Sequence, residues 1–216
     1  MGLIDETNWS ISVKLLREYI RELLVESSAK KPGDVPGDWK IWVDKSGNNI
    51  TVEMLDKDEN QIARITAHKQ SFVGPCSNAH FVGMSESQHG WGPMIYDVMM
   101  ELVTAQGSAL MSNRETVSDE AYRVWLYYLK NRDDVEEIQL DDLKNSLTGD
   151  DSDNCEQKAF DYKLYDDFPS MFNMSKDRKI DFKKNMMTTS PLTKAYKKKD
   201  NSTIDALEKK GALVYR

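Results

Sequence analysis

The sequence predicts an α+β fold in which an antiparallel meander leads into a β-α-β-α unit of one mixed sheet. Three observations support this fold class. Residues 39–67 alternate apolar and polar side chains between turn sequences, residues 79–104 run from a strand through a Gly-Trp-Gly-Pro turn into a helix, and a short apolar run followed by a second helix comes next. We expect an amphipathic helix and linker at residues 1–38, a domain at 39–147 and an irregular extension, acidic and then basic, at 148–216.

The N-terminal part is predicted to contain a short amphipathic helix over residues 13–26, with Ser12 as its N-cap. Its apolar side chains recur at helical period and form one stripe: Leu15, Leu16, Tyr19, Ile20, Leu23 and Leu24. Residues 27–38 follow with two Pro/Gly breaks and are predicted to be a linker. A helix of this length is marginal alone in water, so it either packs on its own domain or binds a groove on a partner.

Residues 39–44, 50–55 and 61–67 are predicted to be three antiparallel strands. Trp39, Ile41 and Val43 would face one side of the sheet, and Lys40, Trp42 and Asp44 the other.

A strand over residues 79–84 then meets a glycine turn that opens a helix over residues 93–104. This arrangement is a general device for binding phosphate, because unpaired backbone N–H groups and the positive end of the helix dipole point at the same place. Gly90 and Gly92 would let a pyrophosphate approach the backbone, and Pro93 suits the first helical turn.

A second helix is predicted from about Ser118, its N-cap, to Lys130, after the apolar run at residues 109–111. Beyond residue 132 the chain is first strongly acidic and then, over 176–199, strongly basic. The basic segment either binds an acidic partner or nucleic acid, or pairs with the acidic stretch of the same chain, or is merely solvated. A last short helix begins at Ser202 or Thr203 and ends before Gly211.

Composition argues against several classes of protein. The net charge of −7 argues against a general nucleic-acid binder. We find neither a bilayer-spanning apolar run nor a secretory signal in the sequence, so we expect no membrane partner and no secretion. Cys76 and Cys155 are far apart and form no metal-ligand spacing with the histidines, so we expect free thiols and no metal site.

The order of elements from residue 39 to 132 resembles the acyl-CoA-binding half of the GNAT superfamily of N-acetyltransferases. The family's pyrophosphate loop reads Arg/Gln-x-x-Gly-x-Gly/Ala, and Gly90 and Gly92 match its two small positions. Ser87 stands at the Arg/Gln position, with Gln88 one place late. In the family's last helix a tyrosine often protonates the leaving thiolate, and Trp125 stands at that position here.

The resemblance implies acetyl-CoA as cofactor and a set of site residues. The cofactor-binding positions would be Ser87, Gln88, Gly90, Trp91, Gly92, Pro93 and Met94. The catalytic candidates are Glu86 or His89 as base for the amine, and Tyr127 or Tyr128 as acid for the thiolate. Each of these side chains also has an ordinary structural role open to it, in the turn or in the core.

The N-terminal helix resembles the capsid-targeting peptides of proteins packaged in the heads of T-even-like tailed phages. Those peptides are cut off after a Leu/Ile-x-Glu motif, and Leu24-Val25-Glu26 supplies such a motif before the linker. The layout also resembles uncharacterised proteins of marine tailed phages. This resemblance implies phage capsid or scaffold partners for the apolar stripe and a location in the host cytoplasm and the virion.

Three functions follow as alternatives. The first is a virion-associated phage protein whose GNAT-like domain is a scaffold or delivered effector, with catalysis retained or lost. The second is an active N-acetyltransferase that acts on an amine. The third is a host-directed inhibitor that acts by surface binding.

Overall fold

The computed structural model describes residues 29–69, 79–88, 90–140 and 174–216. Several predictions lie outside these ranges: the N-terminal helix with its apolar stripe and the motif at Leu24, His89, and both cysteines.

The described strands form one mixed sheet in the order β6-β7-β5-β4-β3-β2-β1-β8. Their bounds are β1 Lys40–Ser46, β2 Asn49–Leu55, β3 Gln61–Lys69, β4 Ala79–Ser87, β5 Ala109–Met111, β6 Val135–Gln139, β7 Lys194–Lys198 and β8 Leu213–Tyr215. Neighbouring strands are antiparallel except for β4 with β5 and β1 with β8, which are parallel. The predicted α+β class with a mixed sheet is confirmed.

The meander forms as its alternating pattern predicts. Strands β1 to β3 pair in sequence, and the side chains of Ile41, Val43, Val52 and Met54 are fully buried on one face. Trp42 points to the other face and is half-buried. The two faces of the meander therefore differ in burial.

In the described ranges four α-helices accompany the sheet: α1 Gly92–Ala105, α2 Asp119–Asn131, α3 Lys176–Thr189 and α4 Ser202–Lys209. Helix α1 is the central one and contacts β2, β3, β5, β7 and α4. Its core-facing side chains include Met94, Ile95, Val98, Met99 and Leu102, all of them buried. None of the helices in the described ranges is both long enough and apolar enough to cross a bilayer.

The predicted cap of α2 is confirmed, because the hydroxyl of Ser118 accepts a hydrogen bond from the backbone N–H of Ala121 at 3.2 Å. Such a cap satisfies one of the N–H groups that a helix leaves unpaired at its start.

The prediction of an irregular C-terminal extension is wrong for β7 and β8, whereas the short helix expected from Ser202 or Thr203 is present at Ser202–Lys209. Strand β7 lies between β5 and β6, and β8 forms the edge beside β1, so strands on both sides of residue 148 belong to one sheet. The prediction failed for β7 because two of its lysines are buried. Lys194 and Lys198 are nearly fully buried in β7, where a lysine-rich sequence predicts a solvated segment.

Acidic partners in the same chain compensate these buried lysines. The ammonium group of Lys198 pairs with Asp134 and lies 3.6 Å from a carboxylate oxygen of Glu101. Lys194 donates to Gln139 at 2.9 Å. Of the two interpretations of the basic segment, pairing within the chain therefore holds for β7.

A second, smaller apolar cluster occupies the opposite face of the sheet. It comprises Ala79, Ala109, Met111, Leu140 and Ala195. Leu110, between two of its members, belongs to the main core instead, as expected for alternating side chains of a strand.

Candidate functional site

Strands β4 and β5 pair over only part of the length of β4. The parallel ladder joins Ala79, His80 and Phe81 to residues 109–111 and then stops, whereas β4 continues to Ser87. Beyond Phe81 and Met111 the described residues form no further ladder between these two segments, which leaves a gap in the pairing. The side-chain amide of Asn113 reaches across it and donates to the carbonyl of Gly83 at 3.4 Å. We call the region between residues 82–87 and 112–117 the β4–β5 gap.

A β-bulge at Gly83 marks the place where the gap begins. In the β3–β4 ladder Ala67 pairs with Val82 and Thr66 with Met84, so Gly83 is the extra residue. The His68 ring lies over it, and a Cβ at Gly83 would be 2.3 Å from Nε2 of His68. Bulges bend a strand and re-aim its side chains, and they are enriched next to active sites.

Two backbone amides of β4 face the gap. The N–H of Gln88 donates to the carbonyl of Ile62 on β3, so by alternation the N–H groups of Met84 and Glu86 face β3 as well. The N–H groups of Ser85 and Ser87 therefore point the other way, towards the gap. They are suitable donors to an extended ligand that lies between the strands.

The glycine turn closes the end of the gap and leads into α1. Gly90 adopts a φ of +87°, which a side chain would strain. Trp91 is buried and its ring centroid lies 5.5 Å from that of Trp39. The backbone of the linker lies against the turn, because the N–H of Lys30 donates to the carbonyl of Gly90 at 2.8 Å.

The start of α1 offers few donors for a phosphate. The first intrahelical bond is that of the Ile95 N–H to the carbonyl of Trp91, and the N–H of Trp91 itself donates to Gln88. Pro93 has no N–H, which leaves Gly92 and Met94 as the amides of the first turn that have no recorded partner among the described residues. No side chain caps this helix and no acidic residue lies in its first turn, so an anion would meet neither competition nor repulsion there.

Little space separates the Gly92 backbone from the side chain of Ser87. A Cβ there would be 3.1 Å from the hydroxyl oxygen of Ser87. The side chains of Ser87 and Gln88 are exposed, whereas that of Met94 is buried in the core. Of the predicted cofactor-binding residues, Ser87, Gly92 and the backbone of Met94 are thus grouped at the mouth of the gap, and Trp91 supports the turn from within.

The predicted base Glu86 is exposed on β4, where its carboxylate accepts a hydrogen bond from the side-chain amide of Gln61. Its side chain belongs to the face of the sheet opposite α1, because Ser85 and Ser87 on either side face that helix.

The two predicted tyrosines are part of the packing between α1 and α2. Tyr128 is buried, and its hydroxyl donates to Asp97 at 2.8 Å and to the carbonyl of Pro93 at 3.2 Å. Burial, and then the charge of Asp97, raise the pKa of Tyr128 well above its ordinary value. Tyr127 is half-buried, with the Arg132 guanidinium 5.8 Å from its ring centroid. A buried phenol bonded to a carboxylate is a poor proton donor to a ligand.

Trp125, at the position of the family's tyrosine, is fully buried. Its ring meets Tyr96 edge to face with centroids 5.4 Å apart, and it stacks on Tyr196 at the same separation. Its role in this structure is therefore packing of α2 against α1 and β7.

Sequence reasoning missed one pair of polar groups at the gap. The hydroxyls of Ser85 and Tyr96 lie 2.8 Å apart. They meet where β4 has passed the end of its ladder with β5 and lies beside the first turns of α1. Burial raises the pKa of Tyr96 to about 12, opposed by the hydrogen bond with Ser85. The phenol is thus a neutral hydrogen-bond partner across the physiological pH range. The strand period of β4 alone does not reveal it, because the bulge at Gly83 changes which residues face α1.

Within the described ranges no three His, Cys, Asp or Glu side chains come close enough to hold a metal ion. In comparisons with known proteins, no family model, no curated protein and no solved structure matches this chain.

Proposed function

We propose that this chain is an acyl-CoA-binding protein of the GNAT type, which transfers an acyl group to an amine. The observation that supports it most is that the β4–β5 ladder ends at Phe81 and Met111 while β4 continues to Ser87, with the glycine turn at the end of the gap. A meander followed by this β-turn-α-β-α unit is the order expected of the family. The mixed sheet, in which most neighbours are antiparallel, also argues against a doubly wound parallel sheet.

The amides and side chains at the gap suit a thioester with a pyrophosphate. Gly92 and Met94 would donate N–H groups to the pyrophosphate, and the amides of Ser85 and Ser87 would bind the extended arm of the acyl-CoA. In the transfer the amine nitrogen bonds to the acyl carbon, the carbon–sulfur bond breaks, the amine loses a proton to a base and the thiolate gains one. Glu86 is our candidate base, and Tyr96 with Ser85 would hydrogen-bond the sulfur or the carbonyl.

Calorimetric titration of acetyl-CoA into the full chain tests the proposal. We expect saturable binding that is lost in Gly92→Arg, because the new side chain would fill the cradle beside Ser87. Gly107→Arg is not a suitable control, since Gly107 has a φ of +74°. Gly37→Arg is matched, since an added Cβ there meets nothing within 4 Å. Absence of binding to the wild-type chain at millimolar ligand would overturn the proposal.

The second candidate is a virion-associated protein in which the GNAT-like domain no longer catalyses transfer. It is favoured by the packing of Trp125 and Tyr128, which leaves neither of these two rings available as a proton donor. In this case the N-terminal stripe would bind phage capsid or scaffold proteins, and a protease would cut after Glu26. Intact-mass analysis of the protein from purified virions tests it: a chain that begins at Ser27 supports the proposal, and absence of the protein from virions rejects it.

A further inference from the structure

The face of the sheet opposite α1 presents a row of one tryptophan and three charged side chains across four strands. In the ladders Trp42 pairs with Glu53, Glu53 with Arg64, and Arg64 with Glu86. We call these four residues the cross-strand row. Directly opposed residues of antiparallel strands have their Cβ atoms about 5 Å apart. Arg64 is therefore flanked by one carboxylate on each side.

The Nε of Arg64 does not pair with either carboxylate. This nitrogen is buried, and within the described chain it is the buried side-chain nitrogen that lacks a hydrogen-bond partner. The carboxylate of Glu86 is instead held by the side-chain amide of Gln61. A buried donor without an acceptor costs free energy, which a ligand with an acceptor at this place would recover.

We propose that the cross-strand row binds an α-amino acid, with the ligand's carboxylate on Arg64 and its ammonium group on Glu86. A guanidinium fork binds a carboxylate through two parallel N–H bonds, and Nε is one of the donors of that fork. A simple anion would be repelled by Glu53 and Glu86, so the ligand must carry a positive charge as well. A simple cation would leave the Arg64 donor unsatisfied.

The spacing of the strands limits the ligand further. Arg64 and Glu86 stand opposite each other on neighbouring strands, about 4.8 Å apart, so both can reach groups that are close together on one ligand. An ammonium group and a carboxylate on the same carbon suit this arrangement. Met84 lies two residues before Glu86 on the same strand, and its exposed side chain offers an apolar contact for the amino acid's side chain.

Glu86 rather than Glu53 is the partner of the ammonium group for two reasons. Glu86 is exposed and Glu53 is half-buried. Glu86 also lies on β4, the strand that borders the β4–β5 gap. If the proposed function holds, the bound amine is the acyl acceptor, and this part of the inference rests on that function. Binding of the amino acid at the cross-strand row does not depend on the proposed function.

Nuclear magnetic resonance of the full chain labelled with ¹⁵N tests the binding, through the side-chain Nε–H signal of Arg64. Three matched probes separate the charges: L-phenylalanine has both, 2-phenylethylamine has only the ammonium group, and 3-phenylpropanoate only the carboxylate. We expect a saturable shift of the signal with L-phenylalanine and a much weaker one with the other two. An equal response to 3-phenylpropanoate, or no response to L-phenylalanine, would overturn the proposal.

Variants locate the site. Glu86→Gln should weaken binding of L-phenylalanine at least tenfold, as should Arg64→Gln followed through the amide signals of β3 and β4. Arg123→Gln, at an exposed arginine of α2, should leave binding unchanged. Because Arg64 lies in a central strand, Glu86→Gln at the exposed partner keeps the test decisive if Arg64→Gln does not fold. Unchanged affinity in Glu86→Gln would contradict the assignment.

Release of free thiol from acetyl-CoA in the presence of each probe then tests the acceptor. L-phenylalanine should be acetylated and 2-phenylethylamine should react at least tenfold more slowly. Equal rates would refute the acceptor class and leave the proposed function intact. If acetyl-CoA does not bind at all, the proposed function fails, and the amino-acid site is judged by the magnetic resonance result alone.

Discussion

The imidazole of His68 lies directly over Gly83, so that a Cβ on Gly83 would be 2.3 Å from Nε2. The ring is held in place, since its Nδ1 lies 2.7 Å from the side-chain oxygen of Asn49 and its centroid 5.3 Å from that of Phe81. Gly83 is the extra residue of the bulge at which β4 leaves β5. The His68 ring thus packs on the bulge residue that lies at the start of the β4–β5 gap.

We therefore expect Gly83→Ala to lower the free energy of unfolding by about 1–3 kcal/mol, the usual cost of overpacking. Urea denaturation measures it. In a His68→Ala background the ring is gone, and the same substitution should cost much less. Equal costs in both backgrounds would show that the ring does not set the requirement for glycine.

Glu101 is expected to be a principal stabilising residue of the C-terminal part. Its carboxylate is fully buried and accepts hydrogen bonds from the backbone N–H groups of Thr203, at 3.0 Å, and Ile204, at 2.7 Å. Glu101→Ala leaves these amides and Lys198 without the acceptor. We predict a loss of about 3–5 kcal/mol in the free energy of unfolding.

The matched control is Glu136→Ala at an exposed position of β6, which should change stability by about 0.5 kcal/mol or less. Both variants are compared by urea denaturation. Similar losses in the two would contradict the role given to Glu101.

Asp134 should make stability depend on pH in the acid range. Its carboxylate is hydrogen-bonded by Arg132, its strongest partner, and by Lys198, and these lower its pKa well below the ordinary value. The unfolded state then binds more protons than the folded state as pH falls below about 4, so the stabilisation present above that pH is lost on acidification. Thermal melts from neutral pH to pH 2 should show a smaller decline for Asp134→Asn than for the wild type. Parallel declines would rule out this contribution.

Substitution of Tyr128 and of Tyr96 should distinguish a structural tyrosine from one that acts at the site. Tyr128→Phe removes a hydroxyl bonded to Asp97, so we expect a loss of stability of about 1 kcal/mol and unchanged affinity for acetyl-CoA. Tyr96→Phe removes the partner of Ser85 at the gap and should weaken acetyl-CoA binding or slow thiol release. If Tyr128→Phe folds normally and abolishes thiol release, Tyr128 is the proton donor after all, as the family resemblance suggested.

Most of the elements between residues 39 and 132 could be predicted because their patterns are local. The alternation of β1 to β3, the apolar run of β5 and the cap at Ser118 each depend on neighbours in sequence. The end of α4 before Gly211, which has a φ of +67°, is local in the same way.

Strands β6, β7 and β8 could not be predicted, because their formation depends on distant partners. Lys198 of β7 is buried through Asp134 and Glu101, which lie far away in the sequence. The candidate site divides similarly: the glycine turn is visible in the sequence, but the bulge at Gly83 and the contact of Ser85 with Tyr96 depend on the register between strands.

The most direct test of the proposed site is a map of backbone amide shifts in the full chain on titration with acetyl-CoA. The largest changes should be confined to the amides at the gap and the turn: Ser85, Ser87, Gly92, Met94 and Asn113. Glycine turns that merely join a strand to a helix would give no saturable shift there. Absence of shifts at these amides, or shifts centred on another face of the molecule, would contradict the assignment of the β4–β5 gap as an acyl-CoA site.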